Sequence, residues 1–530
     1  MTTVATTAAN PEDQVVENLP SAQVHKNFLC RHIPEFAVLA AWTGVAGFTL
    51  HYHEKWADEA QAWLLARDLD LYTLWFKELR YEGSPGLWHT ILWVAQHVFH
   101  APYAAIGVIG MVCAMAGVAL MLFTAPFPRP LRWLLAFTYF MVYQYAVIAR
   151  PYTLLPFLAF AAAILFKDLK HPERMTIVLI LLANLSFHGT ILAGCLGFAY
   201  LVDAVKSWST LGDRLQGRYV LCVGAMALTF LVLFVILKPT PDVEDIVVRN
   251  VAARLQGPGR LQQPSMATKL RAVVSGAFFD EPVTSSIFLL LAGAWCFVRR
   301  RLLTFALPVV LMITLYAIVH GYPHHHGTVF VAAITGLWIA WPTVEEQHGF
   351  TIRERRAAQG IVALLVCLFC LNIWDSAVAI RHEMLYPYSG AGDAARYLRS
   401  VGADRKPIFG YLYGMVGVQA YFDHNIAANV PTAYFHHGLP LTGNLLDLED
   451  LRRKAPDYIV LCFGTQRPQQ ALDQIYPRLR SEGYELAHFS DGYFLYKRSV
   501  FERQVYFIFR RTGPTILSGE QISLPSDPRR

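Results

Sequence analysis

Apolar runs long enough to cross a membrane recur along this chain as far as residue 376 and then stop. A transmembrane helix needs about 17–25 predominantly apolar residues. We place such runs at 34–52, 102–124, 131–149, 151–167, 174–187, 189–204, 218–237, 284–298, 303–320, 328–342 and 358–376. Charged residues make up only 16% of the chain, against roughly 25% in a soluble domain. The sequence predicts an α-helical polytopic membrane protein with about 11–13 transmembrane helices.

The runs divide the chain into four parts. Residues 1–33 are expected to be a cytoplasmic segment, and 34–379 a transmembrane domain with outer loops at 54–85 and 239–283. Residues 380–512 predict a small extracytoplasmic α/β domain, in which Asp457–Phe463 is a buried strand, Gln469–Ser481 a helix, and Asp491-Gly492 the turn of a hairpin. Residues 513–530 are expected to be disordered.

Basic residues cluster in the short loops between apolar runs, where they act as orientation signals. This position accounts for the net charge of +6 without a nucleic-acid partner. It predicts a multi-pass protein of the inner (cytoplasmic) membrane with a cytoplasmic N-terminus and an outer C-terminal domain. Only one net crossing fits between Pro85 and Arg129, so either 86–99 or 102–124 should lie in the interface or enter the bilayer only part way. The outer loop 54–85 has the pattern of an interfacial amphipathic helix pair.

The concentrated polar motifs all fall on the side that this topology places outside. They are Asp58 with Glu59, Glu82, Arg150, His188, and the run His324, His325 and His326. Ionisable groups at membrane depth are costly and usually functional. Their shared side predicts one active site on the non-cytoplasmic face.

Several short motifs resemble the GT-C superfamily of membrane glycosyltransferases. They are HEKWADEAQAWLLAR at 53–67, YEGSPGLW at 81–88, YQYAVIARPY at 143–152, ANLSFHG at 183–189, GYPHHHGTVF at 321–330 and YSGAGDAARYL at 388–398. Their order is similar to that in bacterial enzymes of the protein O-mannosyltransferase and aminoarabinose-transferase type, and they span most of the chain. The resemblance implies inverting transfer of a sugar from a polyprenyl-phosphate donor to an acceptor hydroxyl.

The resemblance also implies roles for residues. The first acid of the outer-loop pair, Asp58, would act on the acceptor, with Glu59 beside it, because the hydroxyl must lose its proton as it attacks. The leaving phosphate needs positive charge or hydrogen-bond donors. We assign these to a set around Arg150, whose planar fork matches phosphate: Arg150, Tyr152, His188, His324, His325 and His326. Glu82 and Ser84 are candidate substrate contacts.

Two features depart from the aminoarabinose transferases. Those enzymes place a lysine before a proline pair after the first loop, where this chain has Glu82-Gly83-Ser84-Pro85-Gly86; near Arg150 they carry an acid. The donor sugar is therefore not expected to be aminoarabinose. No cofactor or metal site is assigned, because three adjacent histidines cannot all ligate one ion from a regular helix. The expected partners are a polyprenyl-phosphate-linked sugar, a glycan, glycolipid or protein acceptor, and the lipid bilayer.

Other interpretations fit part of the pattern. A transporter or flippase of lipid-linked sugars would share the spans, although we find no internal repeat of broken helices. A membrane O-acyltransferase would depend on a single intramembrane histidine, and the acidic first loop argues against it. Each polar residue also has a structural alternative: Asp58 could cap a helix, Arg150 could extend to the interface, and His188 could be a core histidine.

Overall fold

The computed structural model describes residues 30–238, 265–319, 322–411, 413–436 and 448–513. The predicted N-terminal segment up to residue 29, residues 239–264 of the second outer loop, and the tail 514–530 lie outside this described part. Helices of eight or more residues are α1 Ile33–Tyr52, α2 Ala57–Asp68, α3 Leu87–His97, α4 Ala105–Thr124, α5 Arg129–Ala136, α6 Leu155–Leu165, α7 Pro172–Ala183, α8 Phe187–Lys206, α9 Asp213–Leu237, α10 Met266–Ala277, α11 Pro282–Val298, α12 Leu302–Val319, α13 His326–Ala340, α14 Ile352–Leu385, α15 Ala391–Ser400 and α16 Pro468–Ser481.

Shorter helical segments connect these helices. They are Leu71–Thr73, Leu74–Glu78, Leu79–Glu82, Phe140–Gln144, Pro151–Leu154, Trp208–Thr210, Pro323–His325, Val344–His348, Ala403–Arg405, Met415–Gln419 and Leu448–Lys454. The strands are β1 Ile408–Tyr411, β2 Tyr458–Gly464, β3 Tyr484–Tyr496 and β4 Ser499–Arg511. The protein is thus a polytopic α-helical membrane protein with a small C-terminal α/β domain, and the predicted fold class is confirmed.

Among the described residues, five helices are long and apolar enough to cross a membrane: α1, α4, α8, α9 and α14. The pair α10 and α11 makes a sixth candidate if counted as one span, and it bends by 70° between the two helices. Other apolar helices are shorter, including 151–165 and 302–318. Irregular backbone between them is tolerated at membrane depth only where it is buried in protein or lines a polar cavity.

The region between Pro85 and Arg129 contains one short and one long helix. With 11 residues, α3 is about 16 Å long at 1.5 Å per residue, too short to cross the roughly 30 Å hydrocarbon core. The 20 residues of α4 reach that length. Of the two stretches, 86–99 is therefore the one whose helix is too short to span.

The predicted span 131–149 is not one continuous helix. It begins as α5, passes through the π-helical segment Phe140–Gln144, and leaves helical geometry before Arg150. Apolar composition does not reveal this break, because the residues on both sides of it are buried. Every residue from Tyr139 to Ala149 is buried, including those after Gln144 that are not helical.

The first helix of the outer loop, α2, is not the exposed interfacial helix that the sequence predicts. Nine of the twelve residues of α2 are buried. One side of α2 packs against α3 and the other against the Met415–Gln419 helix of the C-terminal domain. An interfacial helix keeps a polar face in water, whereas the C-terminal domain covers that face of α2.

The C-terminal domain is built on a four-stranded sheet of order β1-β2-β4-β3. β1 and β2 are parallel, whereas β4 is antiparallel to both of its neighbours. Alternate residues of β2 enter two separate cores: Tyr458, Val460 and Cys462 on the α15 side, and Ile459 and Leu461 on the α16 side. The predicted strand and the predicted α16 are both present.

The hairpin of this domain turns at Lys497 and Arg498, not at the predicted Asp491-Gly492. β3 is continuous through that pair. A Cβ on Gly492 would lie only 2.5 Å from Ser389 Cα, so the glycine allows the strand to pack closely against Ser389. At the true turn Lys497 adopts a positive φ of 52°. Its ammonium lies 2.7 Å from the Asp280 carboxylate between α10 and α11. The hairpin tip therefore attaches the sheet to the membrane helices.

Candidate active site

A cavity of about 740 Å³ lies where the first outer loop, the break before Arg150, the histidine turn and the C-terminal sheet meet. Eight of the ten predicted site residues line it: Asp58, Glu82, Ser84, Arg150, Tyr152, His188, His324 and His325. Glu59 and His326 do not. Residues separated by more than 250 positions in sequence thus share one chamber.

Asp58 and Arg150 form the charged centre of the cavity. Asp58 lies in the first turn of α2, and its Oδ2 is 2.9 Å from Nη2 of Arg150. The hydroxyl of Tyr413 donates a hydrogen bond of 2.8 Å to the other oxygen, Oδ1. The guanidinium also lies over the rings of Trp56 and Tyr152, 5.6 and 5.4 Å from their centroids. Both oxygens of Asp58 are therefore held toward the cavity.

One nitrogen of the Arg150 guanidinium has a hydrogen-bonding capacity that the described residues do not use. Its Nη1 is buried and has no hydrogen-bond partner in the described part of the chain. A buried, unsatisfied donor on a charged group is costly. An anionic ligand that accepts from Nη1 would remove this cost and would match the planar fork.

Glu59 points away from the cavity into a buried polar network. Its Oε1 accepts from the backbone N–H of Ala149 at 2.8 Å, and its Oε2 lies 3.0 Å from Nε2 of His53. The other nitrogen of His53 is 3.0 Å from the carboxylate of Glu383, to which the Tyr143 hydroxyl also donates. Because Ala149 directly precedes Arg150, this network fixes the irregular backbone that carries the arginine.

The two carboxylates keep His53 charged. Burial alone lowers its pKa, but Glu383 and Glu59 outweigh this effect and raise the pKa of His53 to about 10. Burial likewise raises the pKa of Glu59, yet the neighbouring imidazolium brings it below the usual value. The pair therefore stays ionised across the neutral range.

The predicted histidines separate into two groups. The short helix Pro323–His325 places the ring of His325 4.7 Å from that of His188, measured between centroids. His188 lies in the first turn of α8, directly after the N-cap Ser186. His324 lies 6.2 Å from the Trp56 ring. His326 points the other way, where a Cβ on Gly276 would lie 2.3 Å from its ring. One turn of helix thus divides the run between the cavity and the core.

Burial favours the neutral form of His324 and His325. Burial, and next the charge of Arg150, hold the pKa of His324 well below its usual range. Burial and the adjacent His324 do the same for His325. No group of three His, Cys, Asp or Glu side chains in the described part of the chain is placed to hold a metal ion. Arg150 is therefore the only permanent cation among the described residues that line the cavity.

Glu82 and Ser84 lie at the loop side of the cavity. Glu82 Oε1 accepts a 2.7 Å hydrogen bond from the Gln61 amide, and the same amide nitrogen donates to the Phe435 carbonyl. The Phe435 N–H in turn donates to the Gln61 oxygen at 2.9 Å. Gln61 therefore connects the first outer loop to the C-terminal domain, and Glu82 is fixed by this contact.

Sequence reasoning missed the contribution of the C-terminal domain to the cavity. Tyr388, Tyr413, Phe435, Phe494, Leu495, Tyr496, Glu502 and Gln504 line it from that domain. Burial, and next the charge of Asp58, raise the pKa of Glu502. Apart from Tyr388, which begins the motif at 388–398, no local motif marks these residues. Tyr413 meets Asp58 across 355 positions, and only tertiary packing brings the two together.

Two crystal structures share the fold. ArnT from Cupriavidus metallidurans bound to undecaprenyl phosphate aligns with a TM-score of 0.52 at 12% identity, covering 90% of this chain and 98% of that one. ArnT from the same organism in the apo state aligns with a TM-score of 0.51 at 12% identity, covering 91% and 98%. No family model and no curated protein matches the sequence. The chain has a GT-C-like fold, which it shares with these two ArnT structures, and the resemblance predicted from the motifs is confirmed at the level of fold.

Proposed function

We propose that this protein is an inverting glycosyltransferase that moves a sugar from a polyprenyl-phosphate donor to an acceptor hydroxyl. The acceptor is a cell-envelope glycolipid, polysaccharide or protein. The observation that carries the proposal is the arrangement of Asp58, with Arg150 on one carboxylate oxygen and Tyr413 on the other, inside the 740 Å³ cavity. The shared fold supports a lipid-phosphate donor, since ArnT was crystallised with undecaprenyl phosphate.

The arrangement suggests how the donor would activate the base. Without ligand, the guanidinium of Arg150 neutralises Asp58 at 2.9 Å. A donor phosphate that binds Nη1 of Arg150 draws positive charge away from the carboxylate and makes Asp58 a better proton acceptor. Donor binding would thus prepare the site for the acceptor.

The proposed reaction is a single displacement at the anomeric carbon. Asp58 accepts the proton of the acceptor hydroxyl as its oxygen forms the new bond to that carbon. The bond between the anomeric carbon and the phosphate oxygen breaks, and the electron pair leaves with the phosphate beside Arg150. One displacement inverts the configuration, and Asp58 later returns its proton to solvent.

The remaining cavity residues are proposed to bind the two substrates. Tyr152, His188, His324 and His325 lie around Arg150 and can donate to phosphate oxygens as neutral groups. Glu82 and Ser84 line the loop side, where sugar or acceptor hydroxyls would bind. We do not carry Glu59 or His326 into this role, because neither lines the cavity.

We also propose that the site faces the non-cytoplasmic side of the inner membrane. The basic cluster Arg353, Arg355 and Arg356 lies in the first turns of α14, which leads directly into the C-terminal domain. A reporter that fluoresces only in the cytoplasm should stay dark when fused after residue 530. Bright fusions would reverse the proposed sidedness.

The test of function is transfer from defined polyprenyl-phosphate sugars in proteoliposomes. Asp58→Asn keeps side-chain size and hydrogen-bonding capacity but removes the base, so we expect turnover to fall about 10²–10⁴-fold with donor binding retained. Asp70→Asn is the matched control: Asp70 is an exposed N-cap in the same loop, and asparagine caps helices about as well. Lipid-linked sugar that crosses the bilayer with no bond broken would indicate a flippase instead.

A further inference from the structure

A second polar cavity, of about 680 Å³, lies at the opposite end of α1 from the candidate active site. The 20 residues of α1 separate the two by about 30 Å at 1.5 Å per residue. Its lining residues are Cys30, Arg31, His32, Pro34, Phe123, Arg129 and Arg132. None of them lines the first cavity, so this is an independent feature of the molecule.

Three arginines line this cavity, and two of them, Arg129 and Arg132, share a single carboxylate. Glu35 has no exposed surface; its Oε1 lies 3.0 Å from Nε of Arg129 and 3.6 Å from Nη2 of Arg132. Arg129 also donates to the backbone carbonyl of Arg31 at 2.9 Å. The Arg31 side chain is exposed on the cavity wall. Glu35 thus orders two arginines and leaves the cavity with an excess of positive charge.

Two helices add to the anionic preference of this cavity. α1 begins just after His32 and α5 begins at Arg129, and neither start has a side-chain cap. The uncapped N–H groups at helix N-termini carry partial positive charge. This effect is secondary to the three arginines, but it has the same sign.

An apolar rim identifies the class of anion. Ile33 and Phe36 of α1 are 61% and 40% exposed beside the arginines. The Phe36 ring contacts that of Phe123 at 4.9 Å between centroids. Cations next to exposed apolar side chains at the end of a candidate span match the boundary between lipid headgroups and acyl chains.

We propose that this cavity binds the phosphate headgroup of an anionic phospholipid. Arg31 and Arg129 contact the phosphate, Arg132 with Glu35 fixes Arg129, and the acyl chains lie against Ile33 and Phe36. The site is separate from the lipid-phosphate donor and does not depend on the proposed activity. It would attach this end of α1, α4 and α5 to the headgroup layer.

Native mass spectrometry of the delipidated full-length protein tests the proposal, with phosphatidylglycerol and phosphatidylcholine as probes. We expect selective binding of phosphatidylglycerol, reduced about fivefold in Arg31→Gln and by a further factor of about five in Arg31→Gln/Arg129→Gln. The control is Arg353→Gln/Arg355→Gln, which removes the same charge from the exposed first turn of α14. Binding in the control should match wild type.

Other outcomes would overturn the proposal. Equal binding of the two lipids, or equal loss in the control, would mean that the cavity has no headgroup selectivity. Thermal stabilisation by inorganic phosphate at constant ionic strength, without selective lipid binding, would assign the cavity to a soluble anion. If the double variant does not fold, Arg31→Gln alone decides, because Arg31 makes none of the ion pairs of Glu35.

Discussion

Replacing Glu59 by glutamine tests whether Glu59 is structural while its neighbour Asp58 is the proposed catalytic base. Glu59 is fully buried and accepts from the Ala149 N–H, the Trp56 N–H and His53 at 2.8, 3.2 and 3.0 Å. Glutamine keeps one acceptor oxygen but turns an NH₂ group toward donors. Removing one partner of a buried ion pair costs about 3–5 kcal/mol. We expect the free energy of unfolding to fall by that amount.

The same substitution should weaken donor binding, because Ala149 precedes Arg150 and loses the contact that fixes it. Chemical denaturation in detergent and donor titration measure the two effects. Glu54→Gln is the matched control: burial raises the pKa of Glu54, so a neutral amide there costs little. A Glu59→Gln protein with normal stability and donor binding but no turnover would refute this reasoning and move the base one residue along.

Three further predictions concern the contacts of Asp58 and the network of Glu59. Arg150→Ala should weaken donor binding by about 1.5–3 kcal/mol, the value of a hydrogen bond to a charged group, and Arg150→Lys should restore binding only in part. Identical donor saturation curves for wild type and Arg150→Ala would make Arg150 a structural anchor. Tyr413→Phe should lower kcat about tenfold, equivalent to about 1.4 kcal/mol, with unchanged KM for the donor, since Tyr413 contacts Asp58; a changed KM with constant kcat would contradict this. The pKa of His53 in the folded protein is raised to about 10, so the stabilisation it contributes is complete below about pH 6.5 and is lost as pH rises toward 10. The thermal unfolding temperature should therefore fall over that pH range in wild type, and fall less in His53→Asn. Parallel pH profiles for the two proteins would exclude His53 as the cause.

The residues that sequence reasoning brought together are those whose cost in a membrane is visible locally. Asp58, Arg150, His188 and the histidine run stand out because each interrupts or borders an apolar stretch. Eight of the ten predicted residues line one cavity for this reason.

The residues that sequence reasoning missed depend on tertiary contacts. Tyr413 and Glu502 belong to an ordinary α/β domain and become part of the cavity only because that domain covers α2. The same covering made α2 buried rather than interfacial. In the sequence Glu59 looks equivalent to its neighbour Asp58, since both are acids in the same loop. One position along a helix is a rotation of about 100°, so Asp58 lines the cavity whereas Glu59 points into the buried network.

The hairpin shows the limit of turn statistics. Asp-Gly is a strong signal for a two-residue turn, yet here the glycine meets the Ser389 backbone within a continuous strand. The turn lies instead at Lys497 and Arg498, and Lys497 pairs with Asp280 across 217 residues. The local preference of Asp-Gly for a turn is not realised at this position.

A density map of the protein in nanodiscs containing a polyprenyl phosphate tests the proposed donor site most directly. We expect an elongated lipid whose phosphate lies about 2.7–2.9 Å from the Arg150 guanidinium, with Asp58 freed toward the aqueous part of the cavity. The distance between Arg150 and Asp58, 2.9 Å without ligand, should increase. A lipid phosphate bound elsewhere, with the Arg150–Asp58 pair intact, would contradict the proposed site.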